Sequence, residues 1–413
     1  MNQYAVSLLY PLSIAGYPLV SAIPALVSLD SRPFSLFFRA VVLGLSLAAI
    51  LQMLSARVSV YRGYGWLAVL VFWALYSLRL LIDTVLDPQS LSREPADYWL
   101  FALGSSFFPM LALFIAPDKG KMKRLEDFTF WSLVFACVLT LAAVYSEIAS
   151  GRARTLEIGR FESEVLNPIS IGHLGGSMLL VAVCLFQTPH SFGLIRKLTI
   201  LFSVVLGIVI LVGAASRGPI VATVSVLMVY AAFSPGTWCF KVRNILGMLL
   251  VLSGALIAAT LADELGLASL TRVAPTFQGD VDEIRLDTLN NAWHQFLNAP
   301  MFGSALEEPI TGSYPHNVLV ESFMATGFFG GAAFVALLVL GCRASWRLLR
   351  RCESAVWVGL LFLQYVIGAQ FSSSLWGAHT MWALMAAVLA LDWASGRKQG
   401  AHGASRKTPS STS

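Results

Sequence analysis

Residues 198–233 read LTILFSVVLGIVILVGAASRGPIVATVSVLMVYAAF, two apolar runs on either side of Arg217, the only charged residue in the stretch. Each run approaches the ~20 residues that a helix needs to cross a bilayer. Lipid offers the backbone no hydrogen-bond partners, so such a run is stable there only as a helix. The stretch therefore predicts two membrane-spanning helices joined by a tight turn.

The same pattern recurs along the whole chain. Of its 413 residues, 57% are hydrophobic and 12% are charged, and the mean hydropathy is +0.72. A soluble domain carries about 25% charged residues, and its interior is too small to absorb so much apolar surface. We therefore predict an all-α, polytopic integral membrane protein with about twelve transmembrane helices. The predicted spans are 5–28, 34–54, 64–86, 97–116, 127–148, 165–187, 198–215, 218–233, 245–262, 318–341, 354–371 and 377–393.

The basic residues predict how the spans are oriented. When both termini are placed in the cytoplasm, every lysine falls on the cytoplasmic side, and the basic residues of the outer loops are all arginine. This satisfies the enrichment of basic residues in cytoplasmic loops. The net charge of +5 follows from this topology and does not indicate a nucleic-acid partner.

This map divides the chain into four regions. An amphipathic helix from Glu283 to about Leu297 is expected in the long outer loop, where its apolar side suits the membrane surface. The regions are spans one to nine in 1–262, a periplasmic loop in 263–317, spans ten to twelve in 318–395, and a disordered, basic cytoplasmic tail in 396–413.

Four outer segments carry candidate binding residues, namely Arg160, Arg217, Arg285 and the pair His316-Asn317. A guanidinium is a permanently charged, planar fork of donors that matches phosphate oxygens. A histidine beside such groups can exchange a proton near neutral pH. Three arginines and a histidine at one water–lipid boundary therefore point to a diphosphate-binding site. No metal site is expected, because the outer acidic residues lack ligand spacing.

Each of these residues also has a purely structural interpretation. Arg160 and Arg217 can cap a helix end or snorkel to the interface. Arg285 can pair with Asp282 one helical turn away. His316 can be an interfacial histidine at the start of a helix.

Two basic residues, Arg39 and Arg79, fall inside the predicted spans. Arg79 and Asp83 lie four residues apart, so we expect them to neutralise one another within the bundle. Arg39 is expected to snorkel. The other histidines near the outer face are interpreted as structural; they are His173, His294 and His379.

The stretch from His316 to Gly330 resembles the O-antigen ligase and O-antigen polymerase superfamily. The ligases show a His, then Asn, Ser or Gln, then nine residues, a Gly, two residues, and Gly, Thr or Tyr. Here His316-Asn317 is followed by nine residues and then by Gly327-Phe328-Phe329-Gly330. The motif glycines Gly327 and Gly330, with Gly331, also form a small-residue surface that is expected to let span ten pack against a neighbouring helix.

Upstream segments extend the resemblance to about 160–340. Arg160 is similar to an earlier outer-loop arginine of the family, and Ser216-Arg217-Gly218 is similar to its arginine turn. Arg285, with Trp293 and the turn at 300–303, is similar to the segment that leads into the histidine motif.

The resemblance implies a metal-independent glycosyltransferase without cofactors, acting in lipopolysaccharide or other polysaccharide biosynthesis. Such enzymes move a glycan from undecaprenyl diphosphate to an acceptor hydroxyl. It implies that Arg217 and Arg285 hold the diphosphate with help from Arg160. It also implies that His316 activates or orients the hydroxyl and that Asn317 binds substrate or holds the helix start.

The resemblance further implies the surroundings of the enzyme. The expected location is the bacterial inner membrane, with both termini in the cytoplasm and the active site facing the periplasm. The implied partners are an undecaprenyl-diphosphate-linked glycan donor, a lipid A core or glycan acceptor, membrane lipids and other polysaccharide-assembly membrane proteins.

Two alternatives remain open. Ligase and polymerase differ only in the acceptor, which is a lipid A core sugar or another repeat unit. A transporter or flippase for lipid-linked sugars also suits twelve spans. A transporter is expected to contain internal repeats and broken helices near the membrane centre, and no convincing repeat relates the two halves of this chain.

Overall fold

A computed structural model of the chain describes residues 4–27, 29–55, 60–150, 161, 166–187, 193–234, 283–351 and 354–405. The structure is 83% helical, and the described residues contain no β-strand. The helices are α1 (Tyr4–Val27), α2 (Ser31–Ser55), α3 (Gly65–Leu86), α4 (Pro95–Leu113), α5 (Lys119–Ala149), α6 (Pro168–Gln187), α7 (Leu194–Gly213), α8 (Arg217–Phe233), α9 (Glu283–Asn298), α10 (Val318–Arg350), α11 (Val356–Ser372) and α12 (His379–Ser405).

The predicted fold class is confirmed. Among the described residues, eight helices are long and apolar enough to cross a membrane, and α8 and α11 are shorter apolar helices. The predicted span 245–262 lies outside the described residues. The last helix, α12, continues to Ser405, so the first part of the predicted tail is helical.

Contacts between connections show that the end of α3, the start of α10 and the end of α11 lie together at one end of the bundle. At one end, Ser92 contacts Glu307 and Asn317 contacts Gln370. At the other end, Arg351 pairs with Asp392 across 3.0 Å. We call the end that carries residues 299–317 the site end.

An aromatic cluster holds α10 against α3 and α12. Phe72 and Trp73 of α3, Phe334 of α10 and Trp382 of α12 are all buried. Their ring centroids lie 5.0 to 5.4 Å apart. Aromatic pairs at such distances contribute about 0.5–1.5 kcal/mol each beyond burial of their area. In lipid this close packing is what holds helices together, so the cluster fixes the position of α10 in the bundle.

Helix α10 is interrupted at Gly327, where φ is 64° and ψ is −162°. This region of backbone space is accessible essentially to glycine alone. The interruption frees backbone groups of α10, and the turn before the helix takes them up. The Phe328 N–H donates to the Pro300 carbonyl at 2.7 Å, and the Ser304 N–H donates to the Met324 carbonyl at 3.1 Å.

Gly327 therefore does allow close packing. The sequence predicted a neighbouring helix as its partner, and this prediction was wrong. A Cβ on Gly327 would overlap the backbone of Met301 and Phe302, which belong to the turn and not to a neighbouring helix. The atoms nearest to a Cβ on Gly330 belong to Thr326, and those nearest to one on Gly331 belong to Phe323, both within α10. A kink that folds the helix onto its own side chains explains this difference.

The reciprocal contact is made by Gly303, whose φ is 69°. A Cβ there would overlap the backbone of Met324 and Ala325. Gly303 and Gly327 thus let two stretches of backbone meet without a side chain between them.

We expect Gly327→Ala to lower the free energy of unfolding by at least about 1–3 kcal/mol, because strained backbone and a steric overlap are forced together. Gly44→Ala is the matched control, since Gly44 lies inside α2 and a Cβ added there would have no other atom within 4 Å. Thermal unfolding of the detergent-solubilised protein measures both variants. Equal midpoints for the two would show that the kink does not require glycine.

Candidate functional site

Residues 299–317 are fastened to the bundle by buried acidic side chains. Asp83 accepts hydrogen bonds from Arg79 at 3.1 Å and from the Leu306 N–H at 2.7 Å. The expected neutralisation of Arg79 by Asp83 is confirmed. Arg79 also donates to the carbonyl oxygens of Ser304, at 2.7 Å, and Gly303, at 3.0 Å. The pair therefore binds the turn as well as balancing its own charge.

Glu307 makes the second attachment. Its carboxylate accepts from the Ser92 N–H at 2.8 Å, the Ser92 hydroxyl at 2.9 Å and the Tyr98 hydroxyl at 2.5 Å. Hydrogen bonds to a charged group are the strong ones. Glu307 thus joins the α3–α4 connection to the segment that leads into His316.

Glu308 ties α9 to the same segment. It accepts from the N–H groups of Ile310 and Thr311 at 2.7 and 2.8 Å, and from the Thr311 hydroxyl at 2.7 Å. Burial alone would raise the pKa of Glu308, but these bonds and one from Asn291 of α9 outweigh it and lower the pKa. The Thr288 hydroxyl of α9 lies 3.3 Å from that of Thr311.

These attachments position Arg285, in the first turn of α9. The predicted helix is confirmed, with bounds Glu283–Asn298. Phe296 packs edge-to-face on Phe323 of α10, with ring centroids 5.2 Å apart. Asp282, the alternative partner of Arg285, lies outside the described residues.

His316 has a strained backbone, with φ at 54°. Non-glycine residues seldom adopt this region, and such strain concentrates at functional sites. Its ring lies 4.4 Å from that of Tyr314, and its Nδ1 atom is buried without a hydrogen-bond partner among the described residues. Burial lowers the pKa of His316, and the positive charge of Arg285 lowers it further. The structure therefore brings His316 and Arg285 into one electrostatic environment.

Asn317 fixes the start of α10 directly after this strained residue. Its side-chain oxygen accepts from the N–H groups of Leu319 and Val320, both at 3.0 Å, which caps the helix. Its amide nitrogen donates to the Gln370 carbonyl at 3.1 Å. Asn317 thereby connects the histidine to the end of α11.

Arg217 reaches the same region from α8, of which it is the first residue. The preceding turn contains Ala215 at a φ of 44°. A Cβ on Gly218 would lie 3.2 Å from the Cβ of Phe371, next to Gln370. The start of α8 and the start of α10 therefore both pack on the end of α11.

Arg160 lies outside the described residues. The next residue, Phe161, is described, and its N–H donates to the Gly213 carbonyl at 2.6 Å. The chain after Arg160 therefore passes the turn that carries Arg217.

Two residues next to this site, Tyr314 and Arg93, were not among the predicted site residues. Tyr314 packs edge-to-face on Trp376, with ring centroids 5.8 Å apart, and the Arg93 guanidinium lies 5.3 Å from the centre of the Trp376 ring. Burial raises the pKa of Tyr314. Arg93 was visible as an outer-loop arginine, but no motif set it apart from the others.

Residues 202–335 match the family model described as O-antigen ligase. The chain carries an O-antigen ligase domain. The predicted resemblance to the O-antigen ligase and polymerase superfamily is thereby confirmed. The match contains Arg217, Arg285, His316 and both motif glycines, whereas Arg160 lies before it. A search of curated proteins gives no match to this chain.

The match thus contains three of the predicted site residues, Arg217, Arg285 and His316, while other residues at the site end lie outside it. The chain is a multi-pass membrane protein, and the match over residues 202–335 supports a place among the membrane glycan ligases and polymerases.

We expect Asn317→Ala to lower the free energy of unfolding by about 1 kcal/mol more than Asn317→Ser. Both variants lose the bond to Gln370, but serine still caps α10. Thermal unfolding of the two purified variants makes the comparison. Indistinguishable midpoints would mean that the cap contributes nothing at this position.

The reactivity of His316 toward diethyl pyrocarbonate should rise with pH through a midpoint below 6.5, because the neutral ring reacts and the pKa is lowered. Arg285→Gln should move that midpoint upward, since one of the two causes is removed. Mass spectrometry of the labelled peptide gives the midpoint at each pH.

Arg32→Gln is the control for this titration, because it removes an arginine that is exposed and paired with Glu94. It should leave the His316 midpoint unchanged. An unchanged midpoint in Arg285→Gln as well would show that the two residues do not interact.

Proposed function

We propose that this protein is a membrane glycosyltransferase of the O-antigen ligase or polymerase type. It transfers a glycan from undecaprenyl diphosphate to an acceptor hydroxyl on the periplasmic face of the bacterial inner membrane. The observation that carries the proposal is His316 within the O-antigen ligase domain, which is strained and half-buried and whose pKa is lowered by burial and by the charge of Arg285.

The arginines act on the leaving group. As the bond between the anomeric carbon and the diphosphate oxygen breaks, its electron pair leaves with the diphosphate. Arg217 and Arg285 hold that group, with Arg160 assisting. Charge grows on the diphosphate in the transition state, so prepositioned guanidinium groups stabilise that state more than the ground state.

His316 acts on the acceptor. Its lowered pKa keeps the ring neutral at neutral pH, and a neutral imidazole has a lone pair that can accept a proton. The acceptor hydroxyl attacks the anomeric carbon and gives its proton to His316. Asn317 keeps the strained residue in place through the cap and the bond to Gln370.

One feature of the structure bears on the transporter alternative, namely the interruption of α10. Discontinuous helices of transporters offer free backbone groups to substrates and ions. Here the backbone groups of α10 on either side of Gly327 are already hydrogen-bonded, the Phe328 N–H to Pro300 and the Met324 carbonyl to Ser304. The interruption therefore supports a fixed docking of the loop better than a transport site.

Deletion of the gene, followed by analysis of lipid-linked glycans, tests the proposal. Long polymers on the lipid carrier identify a ligase, and single repeat units identify a polymerase. Unchanged amounts and lengths of lipid-linked glycans would contradict the glycosyltransferase proposal.

Single substitutions then test the assigned roles. We expect His316→Ala to lower the rate of transfer by ~10²–10⁴-fold, the usual contribution of a general base. Arg285→Ala should lower it by ~10²–10³-fold, the effect of losing one prepositioned donor. Transfer from the purified lipid-linked donor, in a membrane that contains each variant, gives these rates.

Two further variants sharpen this test. Arg32→Ala removes an exposed arginine and should retain full activity. Arg285→Lys keeps the charge but loses the planar fork, so full activity in this variant would refute two-point binding of the diphosphate.

A further inference from the structure

A charged cavity lies at the site end, and the residues that line it fall outside the O-antigen ligase match. It has a volume of about 280 Å³ and is lined by Arg39 of α2, Arg93 of the α3–α4 connection, Tyr17 of α1, Asn167 before α6, and His379 of α12. We call it the arginine cavity.

Arg39 does not snorkel as expected. Its guanidinium lies 3.6 Å from the centre of the Phe101 ring and lines the cavity. No carboxylate of the described residues comes within ion-pair distance of Arg39 or Arg93, and Asp97 acts on Arg39 only at longer range. A charged residue within a membrane span is costly and marks a functional site by default. Together, Arg39 of the span and Arg93 of the α3–α4 connection place two guanidinium groups on one cavity, which favours an anionic ligand.

Two of the helices that line the cavity, α1 and α4, are locally widened. The π-helical segments Leu12–Gly16 of α1 and Leu100–Phe107 of α4 each contribute lining residues. Such segments are rare and occur frequently at functional sites. The Ser105 hydroxyl lines the cavity and has no hydrogen-bond partner among the described residues.

His379 supplies a group suited to a sugar hydroxyl. Its Nδ1 atom lies 2.9 Å from the Gly377 carbonyl. A carbonyl oxygen only accepts, so Nδ1 carries the proton, and Nε2 of the neutral ring is left as an acceptor. The wall therefore offers acceptors as well as positive charge.

A second cavity of about 210 Å³ extends the arginine cavity toward His316. The two share Tyr17, Asn167, Trp376 and His379. The second one is also lined by Tyr314, whose ring lies 4.4 Å from that of His316. A glycan in this path would reach from the arginines to the reacting end of the site.

We propose that the arginine cavity binds a sugar residue that carries a carboxylate, within the acceptor glycan. This inference rests on the proposed function and names the chemistry of its acceptor. A carboxylate matches the guanidinium fork, and the diphosphate of the donor is held separately by Arg217 and Arg285.

The test measures binding to the full-length protein in lipid nanodiscs by thermal unfolding. Galacturonate is the probe, galactose is its neutral control, and inorganic pyrophosphate stands in for the donor diphosphate. The variants are Arg39→Gln, Arg93→Gln, Arg285→Gln and the exposed control Arg32→Gln. A ligand that binds only the folded protein raises its unfolding midpoint.

We expect galacturonate, but not galactose, to raise the midpoint of the unsubstituted protein, of Arg32→Gln and of Arg285→Gln. Arg39→Gln and Arg93→Gln should each bind it at least about tenfold more weakly, the effect of losing a hydrogen bond to a charged group. The pyrophosphate response should instead depend on Arg285. If Arg39→Gln does not fold, Arg93→Gln decides the question.

Two results would overturn the proposal. One is a galacturonate response that is absent, or equal in all variants. The other is a pyrophosphate response that disappears in Arg39→Gln or Arg93→Gln and persists in Arg285→Gln, which would make the cavity the diphosphate site. The readout requires no turnover, so unchanged lipid-linked glycans after gene deletion would contradict the proposed function without altering the binding result.

Discussion

The contact between the turn at 301–303 and the interruption of α10 at 324–327 is the constraint on which the candidate site depends. Two stretches of backbone meet there with no side chain between them, and each satisfies hydrogen-bonding groups that the other leaves free. In lipid an unsatisfied backbone group costs several kcal/mol, so the interruption of α10 and the turn require one another. This contact fixes where the loop begins, and the aromatic cluster around Phe334 fixes where α10 stands.

From that contact the loop runs to His316 along a series of buried carboxylates. Asp83, Glu307 and Glu308 each accept from backbone N–H groups, and the first two do so from different parts of the chain. Leaving such a group without partners is expensive, so the segment has little freedom to relax. This explains how His316 keeps a strained backbone conformation, because the residues on both sides of it are held independently.

The site has two halves with different origins in the chain. One half, with Arg217, Arg285 and His316, lies inside the O-antigen ligase domain and suits the diphosphate and the proton transfer. The other half comes from α1, α2, α4 and the start of α12, outside that domain, and carries charge of the same sign. Positive charge on both sides of Tyr314 and Trp376 suits a reaction that joins two anionic substrates.

Hydropathy alone determined the helical membrane fold, because long apolar runs have no other stable form in lipid. The spacing from His316 to Gly330, together with the outer arginines, predicted the resemblance that the match over residues 202–335 supports. Sequence could not determine which groups meet, since the partners of Gly327, Glu307 and Arg39 lie far away in the chain. Only the tertiary structure showed that Gly327 packs against the turn before α10 and not against a neighbouring helix. It also showed that Arg39 lines a cavity. Both depend on the packing of helices, which periodicity does not encode.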